Sequence, residues 1–115
     1  MSAQKFLQTG SESWLNLPQF PGTQLLPLAE PVAEGSIHLL KLQAGTMIPL
    51  HTHPCDEYVY VLSGTVETGG VICPQGTFWM TPAHTQQGEH KAVTDVEIIT
   101  IRLGRMGVFE SVSTT

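Results

Sequence analysis

The chain has 115 residues and a mass of 12.5 kDa, which suits one domain with a single core. Charged residues make up 13 % and hydrophobic residues 41 %, while 11 glycines and 8 prolines punctuate the chain, which excludes disorder and favours a β-rich fold. Five basic residues against ten acidic ones give a net charge of −5, and the basic residues never cluster, so we expect no nucleic-acid partner.

Cysteine content and hydropathy indicate where the protein is found. Cys55 and Cys73 are too few and too far apart for a zinc knuckle or a CxxC redox pair, and no secretory signal precedes them. No window approaches the roughly twenty apolar residues that a membrane span needs. We therefore expect a cytoplasmic protein without membrane contact.

Residues 1–35 predict an arm and a covering segment. Pro18 and Pro21 interrupt the apolar residues between positions 14 and 22, which excludes a helix interior or a central strand there. The run 24–29 is expected to be extended. We expect this segment to lie over the core.

Residues 36–104 predict a barrel of about eight short strands, and residues 105–115 predict a tail. The clearest strand spans residues 57–64, in which Glu57, Val59 and Val61 share the inner face. The other side chains of that strand, Tyr58, Tyr60 and Leu62, then face outward, covered by residues 14–20 or by a second subunit.

The later strands are separated by glycine and proline turns. Gly69 and Gly70 predict a two-residue hairpin turn, and a strand follows over residues 77–81. On that strand, either Trp79 or the pair Phe78 and Met80 faces the interior of the barrel, and periodicity does not decide which. Residues 96–103 predict the closing strand, and a short strand is expected at 108–109.

Two imidazoles and a carboxylate lie within seven residues. On a strand, His51 and His53 project from the same face, and a turn at residues 54–56 brings Glu57 back toward them. Two histidines and one carboxylate with open coordination positions suit iron, manganese, nickel or zinc. His38 has no such partner in the sequence and is expected to be a satisfied or exposed histidine.

The residues Gly45, His51, His53, Glu57 and Gly64 resemble, at every defining position, the first signature of the cupin superfamily. This resemblance implies an all-β fold, a single cupin double-stranded β-helix or jelly-roll barrel. It also implies one divalent metal ion held inside by His51, His53, Glu57 and a fourth ligand.

The second cupin signature is matched in part. Gly76 and Pro82 fit, but His84 stands where glycine is usual and Gln87 stands where histidine is usual, while His90 follows three residues later. Imidazole is the stronger ligand for late first-row metals, so His90 is the preferred fourth ligand if a bulge near Gly88 turns it inward. Gln87 and then His84 are the alternatives, and a site of three ligands is a further one.

Two functions follow from the resemblance. The first is a metal-dependent enzyme, oxygenase-like, that acts on a small molecule. The second is a non-catalytic module that binds or senses zinc or a small ligand. The chain is also similar to the cupin domains of anti-sigma factors, which favours the second function, and to diketone dioxygenases, which favours the first. The outward tyrosines and the apolar terminal segments predict a homodimer.

Overall fold

The computed structural model describes residues 4–105 and 108–112. Residues 1–3 of the predicted arm, and 106–107 and 113–115 of the predicted tail, lie outside the described residues. The strands, in chain order, are β1 (Leu15–Asn16), β2 (Thr23–Pro27), β3 (Ser36–Leu42), β4 (Met47–Ile48), β5 (His51–Thr52), β6 (Glu57–Ser63), β7 (Thr65–Thr68), β8 (Val71–Pro74), β9 (Phe78–Thr81), β10 (His90–Ala92), β11 (Val96–Arg102) and β12 (Ser111–Val112).

The strands form a jelly roll of antiparallel sheets. A six-stranded sheet has the order β1-β2-β3-β11-β6-β9, and a four-stranded sheet has the order β4-β10-β7-β8, while β12 pairs with β5. The predicted all-β fold is confirmed. Because β1 and β2 belong to the same sheet as β3, the segment before residue 36 contributes strands as well as covering residues. Within the described residues, no helix is long and apolar enough to cross a membrane.

The core lies between the two main sheets. One sheet contributes alternate side chains of β3, β6 and β11, and the other contributes side chains of β4, β7, β8 and β10. Burying these β-branched and leucine side chains supplies the main free energy that stabilises the fold. The members of this core are Leu40, Leu42, Ile48, Val59, Val61, Val66, Cys73, Ala92, Val96 and Ile98.

Glycine is required at two turns. Gly64 ends β6 with a φ of 78°, and a Cβ there would lie 2.0 Å from the Asp95 carbonyl oxygen, so no other residue fits. Gly69 and Gly70 have φ angles of 57° and 81° and join β7 to β8, as the two-residue hairpin turn predicts.

Three expectations about local structure need correction. His51 and His53 do not lie on one strand as expected, because β5 spans His51–Thr52 and ends one residue before His53. The terminal strand is β12, not residues 108–109. Leu17 and Phe20 pack against the core and leave Tyr60 43 % exposed, so residues 14–20 do not cover the outward tyrosine face.

Candidate metal centre

His51 and His53 lie side by side at β5, and both are buried. Their ring centres are 4.8 Å apart. The Nδ1 of His51 is 2.8 Å from the Pro49 carbonyl oxygen, and the Nδ1 of His53 is 2.6 Å from that of Val108. A carbonyl only accepts, so each Nδ1 carries the hydrogen and each Nε2 keeps its lone pair. Second-shell bonds of this kind orient metal-binding histidines.

Burial also keeps both rings uncharged. Desolvation lowers the pKa of His51 and of His53, and the Arg102 guanidinium lowers that of His53 further. The Nε2 of His53 has no hydrogen-bond partner among the residues the structure describes. A neutral imidazole with a free lone pair is the form that binds a metal ion.

Glu57 opens β6 opposite Arg102, the last residue of β11. The Nε and Nη2 of Arg102 donate to Glu57 Oε2 at 2.8 and 2.5 Å, and the Gln87 side chain bonds the same carboxylate. Burial raises the pKa of Glu57, but Arg102, His53 and the hydrogen bonds together outweigh it and hold that pKa below its usual value. The carboxylate is therefore charged, and its Oε2 lies 3.5 Å from His53 Nε2.

Gln87 and His90 both face this group. In a regular strand, residues three apart lie on opposite faces, but an irregular stretch at Gly88, whose φ is 97°, separates the bridge between Gln87 and His51 from the start of β10. Both side chains are buried, and His90 stacks on Trp79 with ring centres 5.8 Å apart. Burial, followed by the charge effect of His51, lowers the pKa of His90 to about 4.

His84, the last of the three candidates for the fourth ligand, lies beside His53 through its backbone, whose N–H donates to the His53 carbonyl oxygen at 2.8 Å, but its side chain does not enter the site. Its side chain is 67 % exposed, and its Nδ1 is 2.6 Å from Glu110 Oε2. The structure therefore brings Gln87 and His90 to the histidine pair and leaves His84 outside. The ring centres of His51 and His90 are 5.4 Å apart.

Aromatic side chains enclose the site. Trp79 is the inward residue of β9, while Phe78 and Met80 are exposed, which answers the question that periodicity left open. The ring of Phe109 lies 5.1 Å from that of His51 and 4.7 Å from that of His53, and it also contacts Phe20. A cavity of about 280 Å³, mostly apolar, opens beside the imidazoles.

Sequence reasoning missed Arg102, His38 and Phe109 at this site. Arg102 is distant in sequence from Glu57. However, Arg102 and Ile98 are four residues apart on β11 and therefore share a face, so the period of a strand alone predicts an inward arginine. His38 is neither satisfied nor exposed as expected. It is 3 % exposed, and its Nδ1 has no partner within residues 4–105 and 108–112.

The imidazoles fit a divalent ion, and the carboxylate fits it less well. Two imidazoles that share an ion through nitrogens at about 2.1 Å have ring centres about 5 Å apart, which is near the observed spacings. Across the described ranges, however, no group of three His, Cys, Asp or Glu side chains stands ready to hold a metal ion. Arg102 occupies the oxygen of Glu57 that faces His53.

Comparison with known proteins gives the class. Residues 2–107 match the family described as the ChrR Cupin-like domain, so the chain belongs to that family and is a small cupin. Comparison with curated protein sequences finds no match.

Solved structures show the same fold. KdgF from Halomonas sp. is 22 % identical, with 90 % of this chain and 97 % of that chain covered and a TM-score of 0.75. An acetylacetone dioxygenase from Acinetobacter johnsonii is 14 % identical, with 90 % and 76 % covered and a TM-score of 0.78. A chain from the complex of Rhodobacter sphaeroides SigE with the anti-sigma ChrR is 18 % identical, with 83 % and 50 % covered and a TM-score of 0.70. At these identities the likeness establishes the fold alone.

Proposed function

We propose that this protein is a cupin that binds one divalent metal ion and acts as an oxygenase-like enzyme on a small molecule. His51, His53, Glu57 and His90 would hold the ion, which is iron, nickel, zinc or manganese. The observation that carries the proposal is the histidine pair. Backbone carbonyls fix both tautomers there, and the buried Nε2 of His53 has no hydrogen-bond partner in the part of the chain that the structure describes.

The chemistry of the donors supports this choice. Two ligands that each lie about 2.1 Å from one ion are separated by about 3.0–3.4 Å. His53 Nε2 and Glu57 Oε2 are 3.5 Å apart, slightly more than this separation, with no hydrogen bond between them, and the ion would share that oxygen with Arg102. When bound, the ion would supply open coordination positions and Lewis acidity for a substrate oxygen.

The residues of this chain would bind and enclose the substrate. Phe109 and Trp79 cover the imidazoles and exclude water from them, which strengthens electrostatic interactions inside the cavity. Arg102 holds Glu57 in its ionised form and orients it. The similarity to a protein named acetylacetone dioxygenase supports a small oxygen-bearing substrate, a diketone being the first to try.

A second function is favoured by the family itself. The chain belongs to the ChrR Cupin-like domain family, and the similar chain in the SigE complex is an anti-sigma protein, of which this chain covers half. A non-catalytic module that binds or senses zinc or a small ligand is therefore the alternative. In either case we propose a reducing cytoplasm as the location, which is supported by the free thiols of Cys55 and Cys73.

Metal analysis of protein purified without a histidine tag or added metal tests the proposal. We expect about one divalent ion per chain in the native protein, and a loss of tenfold or more in affinity, roughly, for His51→Ala. His84→Ala is the matched control, because that ring is exposed and outside the site. A native protein that holds no metal, and whose Tm does not change on adding iron, nickel, zinc or manganese, would reject the proposal.

Two further arms of the experiment identify the fourth ligand and the function. Of His90→Ala and Gln87→Ala, the variant that removes the ligand loses more metal, and we expect this to be His90→Ala because imidazole is the stronger donor. Oxygen uptake by the iron-loaded protein with small diketones supports the enzyme. Tightly held zinc without turnover supports the binding module.

A further inference from the structure

The inner face of β3, β6 and β11 changes character along its length. At one end the paired residues Leu40, Ile98 and Val61 belong to the core. Two residues further along the pairing, His38 of β3 lies opposite Thr100 of β11. Two residues beyond that, Arg102 of β11 lies between Ser36 of β3 and Glu57 of β6. This polar end of the sheet consists of Ser36, His38, Thr100, Arg102 and Glu57.

Two side chains of the polar end lack partners. Within the described part of the chain, Nδ1 of His38 and Oγ of Ser36 are buried without a hydrogen bond. A buried polar atom without a hydrogen bond destabilises the fold, so such atoms are usually satisfied by a bound water or ligand. Burial, followed by the charge of Arg102, lowers the pKa of His38 to about 4, and the imidazole is therefore uncharged at neutral pH.

His38 borders the same cavity as the candidate metal centre. Thr100 and Arg102 line this cavity of about 280 Å³ beside it. The cavity has the volume of roughly nine water molecules, which suits an occupant of about ten non-hydrogen atoms. The remaining wall is mostly apolar and partly aromatic, with Phe20, Ile48, Trp79 and Phe109 among its residues.

We propose that His38, with Thr100 and Arg102 beside it, forms a subsite for the hydroxyl group of a small, uncharged ligand with an apolar body. A hydroxyl both donates and accepts, so it satisfies Nδ1 of His38 in either ring tautomer. The ligand is uncharged because Arg102 is already neutralised by Glu57 and His38 carries no charge. As part of a substrate site this assignment rests on the proposed function, but hydroxyl binding itself requires no metal.

Matched probes test the subsite. Phenol and toluene have nearly the same shape and differ in the hydroxyl, so each is titrated by NMR into metal-free protein, into His38→Leu and into the control His84→Leu. Within each protein, phenol and toluene make nearly the same apolar contacts, so the ratio of the toluene Kd to the phenol Kd reports the contribution of the hydroxyl group alone. We expect His38→Leu to lower this ratio by about three- to tenfold, the worth of one hydrogen bond, and His84→Leu to leave it unchanged.

An equal ratio in native protein and His38→Leu would overturn the subsite. Should His38→Leu fail to fold, the imidazole ¹⁵N shifts of His38 in native protein decide the matter, because phenol must move them more than toluene does at equal occupancy. The outcome is separate from that of the metal experiment. A His38-dependent ratio in a protein that takes up no metal would support the subsite and reject the proposed function, whereas metal uptake with equal ratios would do the reverse.

Discussion

Glu57 and Arg102 set the charge balance of the site. The guanidinium holds the carboxylate in its ionised form, and the imidazoles of His51 and His53 are neutral, so the group as a whole has little net charge. A carboxylate shared with an arginine offers less negative charge to an ion than a free one does. Metal affinity should therefore depend most strongly on the histidines.

The histidine pair and Glu57 could be predicted from the sequence because their spacing is local, within seven residues. Arg102 lies 45 residues from Glu57, and only the pairing of β11 with β6 brings the two together. No local pattern specifies that register. Likewise, the sequence around His38 is that of an ordinary strand histidine, and only the pairing of β3 with β11 places it beside Thr100.

His38 predicts a dependence of stability on pH. Its folded pKa of about 4 lies below the usual 6.5, so the unfolded state binds the proton more readily. The stability due to the neutral ring is complete above pH 6.5 and is lost as the pH falls toward 4. By pH 4.5 this loss is roughly 2–3 kcal/mol in the free energy of unfolding.

Urea unfolding of native protein and His38→Leu at pH 7 and pH 4.5 checks this prediction. Burial lowers the pKa of the other buried histidines as well, so the difference between the two proteins isolates His38. We expect the variant to lose less stability on acidification by about the stated amount. The same loss in both proteins would contradict the prediction.

At the scale of elements, the C-terminal segment completes the site. β12 pairs with β5, the Val108 carbonyl accepts the Nδ1 hydrogen of His53, and the Phe109 ring covers both imidazoles. The sequence predicts a short strand here but not its role, because a contact between residues 53 and 108 spans 55 positions. The strand at β6 and the β7–β8 hairpin were predicted correctly, since residue type and glycine conformation determine them locally.

Phe109→Ala should loosen this segment. We expect the free energy of unfolding to fall by about 1–3 kcal/mol, because the ring is half-buried between Phe20 and the imidazoles. The ¹⁵N shifts of His53 should also move from one tautomer toward a mixture, since the neighbouring Val108 carbonyl is no longer held in place. Urea unfolding and imidazole NMR measure the two effects.

Phe6→Ala is the control for that variant. The Phe6 ring is 87 % exposed, so its removal should change stability by no more than about 0.5 kcal/mol. Equal effects of the two substitutions, or an unchanged His53 tautomer in Phe109→Ala, would show that the segment does not support the site.

At the scale of the whole molecule, the outer face of β6 and β9 supports the proposed homodimer. Tyr60, Leu62, Phe78 and Met80 are exposed there, and among the described strands β9 lies at the edge of its sheet. A twofold dimer would bury these side chains against their own copies. We expect light scattering at micromolar concentration to give about twice 12.5 kDa.

Phe78→Glu should convert this dimer to monomer, because it would place two like charges in an apolar interface. Val71→Glu is the control, since Val71 is 61 % exposed but lies on the other sheet. A native particle of 12.5 kDa would rule the dimer out.

The cupin barrel as a whole was predictable from spaced glycines, histidines and a glutamate, which mark its turns and its site. The order of the strands in the sheets could not be predicted, because β-branched runs such as those of β3 and β11 do not specify which strands they pair with. The sequence thus predicts which segments are strands, and the structure adds which strands are neighbours.

That order has a consequence for how the chain folds. β11 follows both β3 and β6 in the chain and lies between them in the sheet. In the folded sheet β3 and β6 are separated by about 10 Å, the width of β11, so neither has its neighbour on that side until residues 96–102 have left the ribosome. We expect the central sheet to form only after β11 has been made, and nascent chains to depend until then on chaperones that shield open edges.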